Sequence, residues 1–415
     1  MGRWSLLGLA LTACAPWRAT PPAPNDDVAR RPPSGEPTPN APPPRFIEDD
    51  YGRALAEARA RGLPLFVDAW APWCHTCLSM RAFVFPDARL GSVSARFVWL
   101  SIDTERAQNA AVVSKLGVRV LPTLFVVDAR DERVVLAWPG SLTAPELATL
   151  LEDAQTGVGP RGPLAVDVAV TRSNAEGRLH ECAVMADGEA PKMPPGTAVA
   201  DVIRAGIDCA VKLVDHPDER ARLADLAALG ERVASDPSQP ILADDRSDLY
   251  DYTLSAYRAL DRQESAQRLA QAWSDFLEGQ AARAPTPSAR AVFDAHRLLA
   301  YLALGEPEKA VPFLRQSEHD FPEDFNPPAR LATAYFAMKR FDEALAACRR
   351  ALQLAYGPRK LRLWSLEADV RAASGDVAGA RAALRAALDF ADRLHLGPTY
   401  ASQIAAITKR LAELR

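Results

Sequence analysis

The chain has 415 residues, of which 48% are hydrophobic and 25% are charged, and its formal net charge is −4. This length predicts two or three domains, and the globular composition allows a sizeable core. The slightly acidic balance, without a basic patch carrying interleaved aromatic residues, argues against a nucleic-acid partner. No apolar run reaches 18 residues, so the sequence predicts no transmembrane helix.

Residues 1–14 have the pattern of an export signal. The basic residue Arg3 precedes a short apolar run that ends in Leu11-Thr12-Ala13-Cys14. An apolar region this short indicates a signal peptide and not an anchor helix. The last four residues resemble the bacterial lipobox, which implies lipidation of Cys14 and an exported, periplasm-facing lipoprotein. The absence of an aspartate after Cys14 favours the outer membrane, and ordinary cleavage near Ala13 or Ala15 is the alternative.

Residues 15–45 are rich in proline. Such a segment cannot bury a core, so it predicts a disordered, semi-extended tether between the membrane and the folded part. We interpret it as a passive spacer. A docking site for a domain that binds proline motifs is the alternative.

Residues 46–156 alternate between helical and strand-like patterns, which predicts an α/β domain with a mixed sheet covered on both faces. In chain order, the predicted elements are a helix (46–61), a strand (65–70), a helix (78–85), a strand (95–102), a helix (107–116), two strands (118–121 and 123–127), an edge strand (133–138) and a closing helix (144–152).

The pattern that carries chemistry in this region is Cys74-His75-Thr76-Cys77, between the first predicted strand and the helix that follows it. A helix N-terminus has unsatisfied N–H groups and a partial positive charge. A Cys74 thiolate is therefore stabilised there, and its pKa is expected to fall from about 8.5 toward 7 or lower. Cys77 lies one turn further along, where it can attack a mixed disulfide formed at Cys74.

Separated features in this region resemble the thioredoxin family. Trp73 precedes Cys74, Asp68 stands at the position of the family's buried acid, and Leu121-Pro122-Thr123 matches the cis-proline loop. The region is most similar to the periplasmic thioredoxin domain of the thiol:disulfide interchange proteins. The resemblance implies a thioredoxin fold without a cofactor or a metal ion, and two sets of site residues. The catalytic set is Cys74, Cys77 and Asp68, and the substrate-binding set is Trp73, His75, Leu121, Pro122 and Thr123.

Two departures from the family limit what the resemblance transfers. His75-Thr76 replaces Gly-Pro between the cysteines, so the redox poise of thioredoxin is not carried over. Trp99 stands where thioredoxin has a lysine beside the buried acid, which leaves the protonation state of Asp68 open. A satisfied structural aspartate is the alternative interpretation of Asp68.

Cys74 and Cys77 also have alternative interpretations as half of a zinc site or as an inert disulfide. A second Cys or His pair at ligand spacing is missing from this region, which argues against zinc. His75 is expected to tune the thiolate and not to complete a metal site. The spacing at a helix start is typical of redox cysteines.

Residues 163–415 predict an all-α domain, apart from one alternating run, 164–170, that could form a strand. Positions 301, 303, 305 and 310 recur 34 residues later with similar side chains, and a third copy follows after 36 residues. This period resembles tetratricopeptide repeats, most clearly over residues 288–392. Residues 201–213 with 219–233, and 245–260 with 263–281, predict degenerate helix pairs. Residues 399–415 predict a cap helix entered through Gly397-Pro398.

The remaining cysteines suggest structural roles. Cys182 and Cys209 form an even pair that predicts a disulfide in an exported protein, with about 3 to 4 kcal/mol of stabilisation. The alternative is two small buried thiols at helix crossings. Cys348 is expected to be a buried free thiol.

Three hypotheses follow for function. The first is a membrane-tethered thiol–disulfide oxidoreductase that acts on protein cysteines and whose repeats recruit clients. The second is a repeat-based interaction or assembly protein in which the thioredoxin-like domain is mainly a binding module. The third is metal delivery through Cys74 and Cys77. Repeat arrays bind peptides or proteins in a concave groove, although a structural spacer or dimerisation scaffold remains the alternative.

Overall fold

The computed structural model describes residues 42–396 and 400–414. The predicted signal segment with Cys14, most of the proline-rich tether, Gly397-Pro398 and Arg415 lie outside the described residues. None of the helices in the described part of the chain combines the length and apolar character needed to cross a membrane.

The first half of the described chain is built on one five-stranded mixed sheet. The strands are β1 (Phe46–Glu48), β2 (Leu65–Trp70), β3 (Val98–Asp103), β4 (Thr123–Val127) and β5 (Val134–Pro139), in the order β1-β3-β2-β4-β5. Strands β1, β3 and β2 are parallel, and β4 and β5 are antiparallel to their neighbours. The residues before Tyr51 therefore form a strand, and the predicted helix from Phe46 was wrong at its start. Asp50 caps the true helix by accepting the N–H of Arg53.

Five helices accompany the sheet: α1 (Tyr51–Arg61), α2 (His75–Ser79), α3 (Gly91–Ser94), α4 (Ala110–Leu116) and α5 (Ala144–Gln155). Helix α2 continues as one π-helical turn, Met80–Val84. The segment predicted as a strand at 118–121 is a loop. The mixed sheet with helices on both faces confirms the predicted α/β class.

Strand β2 separates two cores because successive side chains of a strand point to opposite faces. Leu65 and Val67 pack with α1 and α4 residues in one core. Phe66 packs with Met80 of the π turn in the other core. Asp68 follows Phe66 by two residues, so its side chain lies on the face that α2 and its π turn cover.

The second half of the described chain is helical. Its helices are α6 (Pro163–Ala175), α7 (Leu179–Glu189), α8 (Thr197–Val211), α9 (Pro217–Ser235), α10 (Ala243–Ala259), α11 (Gln263–Arg283), α12 (Pro287–Ala291), α13 (Asp294–Leu304), α14 (Ala310–Asp320), α15 (Asn326–Ala337), α16 (Phe341–Leu354), α17 (Lys360–Ala373), α18 (Val377–Arg393) and α19 (Ala401–Glu413). Helices α13 to α18 form consecutive pairs at the predicted 34-residue repeat, and α19 follows as the predicted cap.

The alternating run at 164–170 belongs to α6, so the predicted strand was wrong. Leu164 and Val168 pack against the core of the α/β region, whereas Val166 and Val170 pack against the helical core. Each pair is spaced i,i+4, as on a helix face. Because α6 is buried on two sides between the two regions, its apolar residues alternate along the sequence as they do in a strand.

Candidate active site at Cys74 and Cys77

Cys74 is the N-cap residue of α2, and its Sγ accepts the backbone N–H of Cys77 at 3.1 Å. The two cysteines form a disulfide in this structure. Cys74 is 6% exposed and Cys77 is 1% exposed. The fold thus brings the two cysteines to the start of α2, where the N–H group of Cys77 is available to stabilise a thiolate at Cys74.

The predicted proline loop lies beside the cysteines. The Leu121-Pro122 peptide bond is cis, and Leu121 packs with Trp70 and Trp73 against the two cysteines. Thr123 donates its hydroxyl to the carbonyl oxygen of Val120 at 2.7 Å. The side chain of Val120 is 49% exposed, so this edge of the site faces solvent.

Asp68 is buried, and neither of its carboxyl oxygens has a hydrogen-bond partner among the described residues. Burial raises the pKa of this carboxyl from 3.8 to about 7. The nearest positive charge is Arg81, whose Nη1 lies 3.7 Å from Asp68 Oδ2. Arg81 comes from the π turn after α2 and was not predicted, since the residue expected beside the acid was Trp99. Trp99 instead packs on Phe66.

Trp73 is held by a second acid that the sequence did not single out. Its indole N–H donates to Glu105 Oε1 at 2.7 Å, and Glu105 Oε2 accepts the backbone N–H of Arg359 at 2.7 Å. The guanidinium of Arg359 lies over the Trp73 ring, 4.8 Å from its centroid. Burial raises the pKa of Glu105. Trp73 is therefore fixed between the α/β region and the helical region.

The helical region makes further contacts around the cysteines. Asn326 Nδ2 donates to the carbonyl oxygen of Pro72 at 2.9 Å. The Tyr356 hydroxyl donates to Asp103 Oδ2 at 2.5 Å. Residues separated by more than 250 positions meet here, and no local sequence pattern indicates such pairs. The helical region is thus packed against Pro72, in the loop that leads to Cys74, and against Asp103 at the end of β3.

His75 points toward the helical region. Its Nδ1 lies 2.9 Å from Asp244 Oδ2, and its ring centroid is 4.2 Å from that of His296. The side chains of Leu78 and Phe83 on the same helix and π turn pack against the helical core. The i,i+4 spacing of Asp244 and Asp248 was visible in the sequence, but their partners were not.

The other predicted cysteines fall in three situations. Cys182 on α7 and Cys209 on α8 are fully buried and disulfide-bonded to each other in this structure. Cys348 is buried and forms no disulfide with the cysteines that the structure describes, and burial raises the pKa of its thiol to about 12. Cys14 lies outside the described residues.

Fold and site together define a thioredoxin-type α/β domain, with a C-x-x-C pair at a helix start, joined to an array of helical repeats. A family model of thioredoxin-like domains matches residues 51–155, and a family model of tetratricopeptide repeats matches residues 301–363. The predicted resemblance to both families is confirmed.

Curated relatives match the first of these regions. The thiol:disulfide interchange protein DsbD of Pseudoalteromonas atlantica is 31% identical over 88 residues, which are 21% of this chain and 15% of that protein. The DsbD of Escherichia coli K12 is 29% identical over 110 residues, which are 26% of this chain and 19% of that protein. The chain therefore spans less than a fifth of the length of these relatives.

Two solved structures illustrate the two regions. A candidate disulphide-isomerase from Bacteroides thetaiotaomicron is 31% identical, with 30% of this chain and 99% of that chain covered and a TM-score of 0.25. A thermophilic tetratricopeptide-repeat protein from Thermus thermophilus is 20% identical, with 50% of this chain and 98% of that chain covered and a TM-score of 0.32.

Proposed function

We propose that the protein is a thiol–disulfide oxidoreductase that acts on the cysteines of exported proteins through its Trp73-Cys74-His75-Thr76-Cys77 motif. The observation that carries this proposal is the position of Cys74 Sγ at the start of α2, where it accepts the Cys77 N–H at 3.1 Å beside the cis-proline loop. The similarity to thiol:disulfide interchange proteins supports the same chemistry.

The reaction proceeds in two balanced steps. In the reductive direction, the Cys74 thiolate attacks one sulfur of a substrate disulfide, and the other substrate sulfur leaves as a thiolate. The Cys77 thiolate then attacks Cys74 Sγ, which releases the second substrate sulfur and forms the Cys74–Cys77 disulfide. The protein loses two electrons and the substrate gains them, and the reverse sequence oxidises a substrate dithiol.

Asp68 is the proposed acceptor for the proton of the Cys77 thiol before the second step. A buried carboxyl that has no hydrogen-bond partner among residues 42–396 and 400–414 and has a pKa of about 7 can exchange a proton near neutral pH. Arg81 keeps the ionised form accessible by its positive charge at 3.7 Å. Trp73, Leu121, Pro122 and Thr123 form the proposed substrate-binding edge, and the repeats recruit the client. His75, which the resemblance placed in this edge, directs its imidazole to Asp244 and is left out of the proposed edge.

A trapping experiment tests the nucleophile. In a Cys77→Ser variant, Cys74 attacks but no resolving thiol follows, so mixed disulfides between Cys74 and client proteins should accumulate on non-reducing gels. The matched Cys74→Ser variant should trap none. Equal trapping by both variants, or trapping by neither, would refute the assigned roles.

A second candidate is an interaction protein whose thioredoxin-like domain binds partners without turnover. The burial of Cys74 favours it, because only 6% of the residue is exposed to solvent. This candidate predicts that a strain carrying the Cys74→Ser, Cys77→Ser double variant behaves as wild type. A defect in the strain that carries the double variant would support the oxidoreductase instead.

We also propose that Cys14 carries the lipid that tethers the protein to the membrane, with the outer membrane favoured. The support is the segment Leu11-Thr12-Ala13-Cys14 and the missing aspartate after it. Mass spectrometry of the mature N-terminal peptide should show an acylated cysteine, and Cys14→Ser should release the protein to the soluble periplasmic fraction. An unmodified Cys14 or cleavage elsewhere would contradict the anchor.

A further inference from the structure

Two histidines and two aspartates from three helices converge where the active-site helix meets the helical region. His75 begins α2, Asp244 and Asp248 lie one turn apart on α10, and His296 lies on α13. One donor atom each from His75, Asp244 and His296 lies within 4.8 Å of the other two. Imidazole and carboxylate donors in this combination are typical ligands of divalent transition metal ions.

The distances separate an inner set of donors from an outer one. Asp244 faces the Nδ1 atoms of both histidines, with Oδ2 2.9 Å from His75 and Oδ1 3.5 Å from His296. Tetrahedral zinc with bonds of about 2.0–2.1 Å holds its ligand atoms about 3.3 Å apart. The two observed separations involve different oxygens of Asp244, and one donor atom from each of the three residues lies within 4.8 Å of the other two. Side-chain adjustments would therefore bring these donors around one ion.

Asp248 occupies the position of an orienting carboxylate. Its Oδ1 lies 3.1 Å from Nε2 of His296 and 3.9 Å from Nε2 of His75. Histidines that ligate a metal through one ring nitrogen usually donate the other N–H to a carboxylate, which fixes the tautomer and the ring orientation. A single aspartate here faces the outer nitrogens of both rings.

Two inner donor atoms are buried without hydrogen-bond partners among the described residues. They are Asp244 Oδ1 and His296 Nδ1, and the side chains of Asp244 and His296 are 0% and 1% exposed. Buried polar atoms without a partner are rare in proteins, and an ion is one recognised explanation.

We propose that His75, Asp244 and His296 bind one divalent transition metal ion, with zinc as the probe, and that Asp248 orients the two imidazoles. The ion joins the first residue of the active-site helix to α10 and α13. The bound ion therefore stabilises the packing of the helical region against α2. The donors are nitrogen and oxygen atoms only, so the site does not depend on the cysteine thiols or on the proposed oxidoreductase activity.

The test uses the full-length protein with its cysteine pairs oxidised, stripped with a chelator and titrated with Zn²⁺ against a chromophoric zinc indicator. We expect one zinc ion per chain, with a metal-edge X-ray absorption spectrum that shows only nitrogen and oxygen neighbours. Absence of zinc binding by the oxidised protein, or sulfur in the first coordination shell, would overturn the proposal. The spectrum of the wild type gives this answer even if a variant fails to fold.

Variants then assign the ligands. His75→Gln and Asp244→Asn should abolish binding, and Asp248→Asn should weaken it by about 10- to 100-fold. The matched control His180→Gln alters a histidine on α7, outside the cluster, and should bind zinc as the wild type does. The Cys74→Ser, Cys77→Ser double variant should also retain zinc, which separates this site from the thiol chemistry. Retention of zinc by a folded His75→Gln variant would refute the ligand set.

Discussion

The carboxyl group of Asp68 is buried and has no hydrogen-bond partner in the described part of the chain, so its ionisation in the folded protein costs free energy. The folded-state pKa of about 7 exceeds the ordinary value of 3.8. Below about pH 4 the group is protonated in both the folded and the unfolded chain. As the pH rises toward 7, the unfolded chain ionises first, so the free energy of unfolding falls, and above pH 7 the loss is complete.

Replacing Asp68 by Asn should remove this pH dependence. Relative to the wild type, the variant's free energy of unfolding should rise by about 4 kcal/mol between pH 4 and pH 8, because each pKa unit corresponds to about 1.36 kcal/mol. Urea unfolding of both oxidised proteins at several pH values measures the difference, in which the other buried acids cancel. A difference that does not change with pH would show that Asp68 has an ordinary pKa in the folded protein.

The residues of the site differ in how far the sequence could reveal them. Cys74, Cys77 and Asp68 occupy spacings set by one strand and one helix, so their proximity follows from local structure. Pro122 was placed beside them only by the resemblance to the thioredoxin family, and the pairing of β4 with β2 brings it there. Arg81 was within reach, since it lies one helical turn beyond Cys77. Asp244, His296 and Arg359 meet the site only through tertiary packing, which spacing along the chain does not encode.

Helix packing in the second half depends on small residues at crossings. Gly206 on α8 faces α7, where an added Cβ would lie 2.4 Å from Ala186 Cβ. A contact this short requires the two helix backbones to move apart. The period of the apolar residues predicted α8 but not the close approach, because periodicity describes one helix and not the distance to its neighbour.

Gly206→Ala should therefore lower the free energy of unfolding by about 1–3 kcal/mol through overpacking. Gly188→Ala is the matched control, because Gly188 lies on α7 with no atom within 4 Å of an added Cβ. That change should be neutral or stabilising by up to about 1 kcal/mol, as expected for alanine in a helix. Equal effects of the two substitutions in urea unfolding would contradict the packing described for α7 and α8.

At the scale of the whole molecule, we expect the helical region to restrict the access of large substrates to Cys74. Asn326 and Tyr356 hold it against Pro72 and Asp103 by two hydrogen bonds. A large substrate must displace these contacts, whereas a small dithiol needs less room. The two-region architecture was predictable from composition and repeats, but this arrangement was not, since nothing in either region alone requires it.

The Asn326→Ala, Tyr356→Phe double variant tests this restriction. With about 1 kcal/mol lost for each hydrogen bond, reduction of the Cys74–Cys77 disulfide by a protein dithiol should accelerate by roughly 30-fold. Reduction by dithiothreitol should change little. Tyr301→Phe, which removes a hydroxyl hydrogen bond to Glu278 within the helical region, is the control. Unchanged rates with the protein dithiol would show that the helical region does not limit access.

Thiol–disulfide exchange at Cys74 and Cys77 is tested most directly by a redox titration of the full-length protein in buffers of defined thiol–disulfide ratio. The redox state of each cysteine is read out by alkylation and mass spectrometry. We expect Cys74 and Cys77 to titrate reversibly together as a two-electron couple. The potential should then change by about 30 mV for each tenfold change in the ratio of oxidised to reduced protein. The buried Cys182–Cys209 pair serves as the internal reference and should remain oxidised. A Cys74–Cys77 disulfide that stays intact until the protein unfolds would contradict the proposed oxidoreductase function.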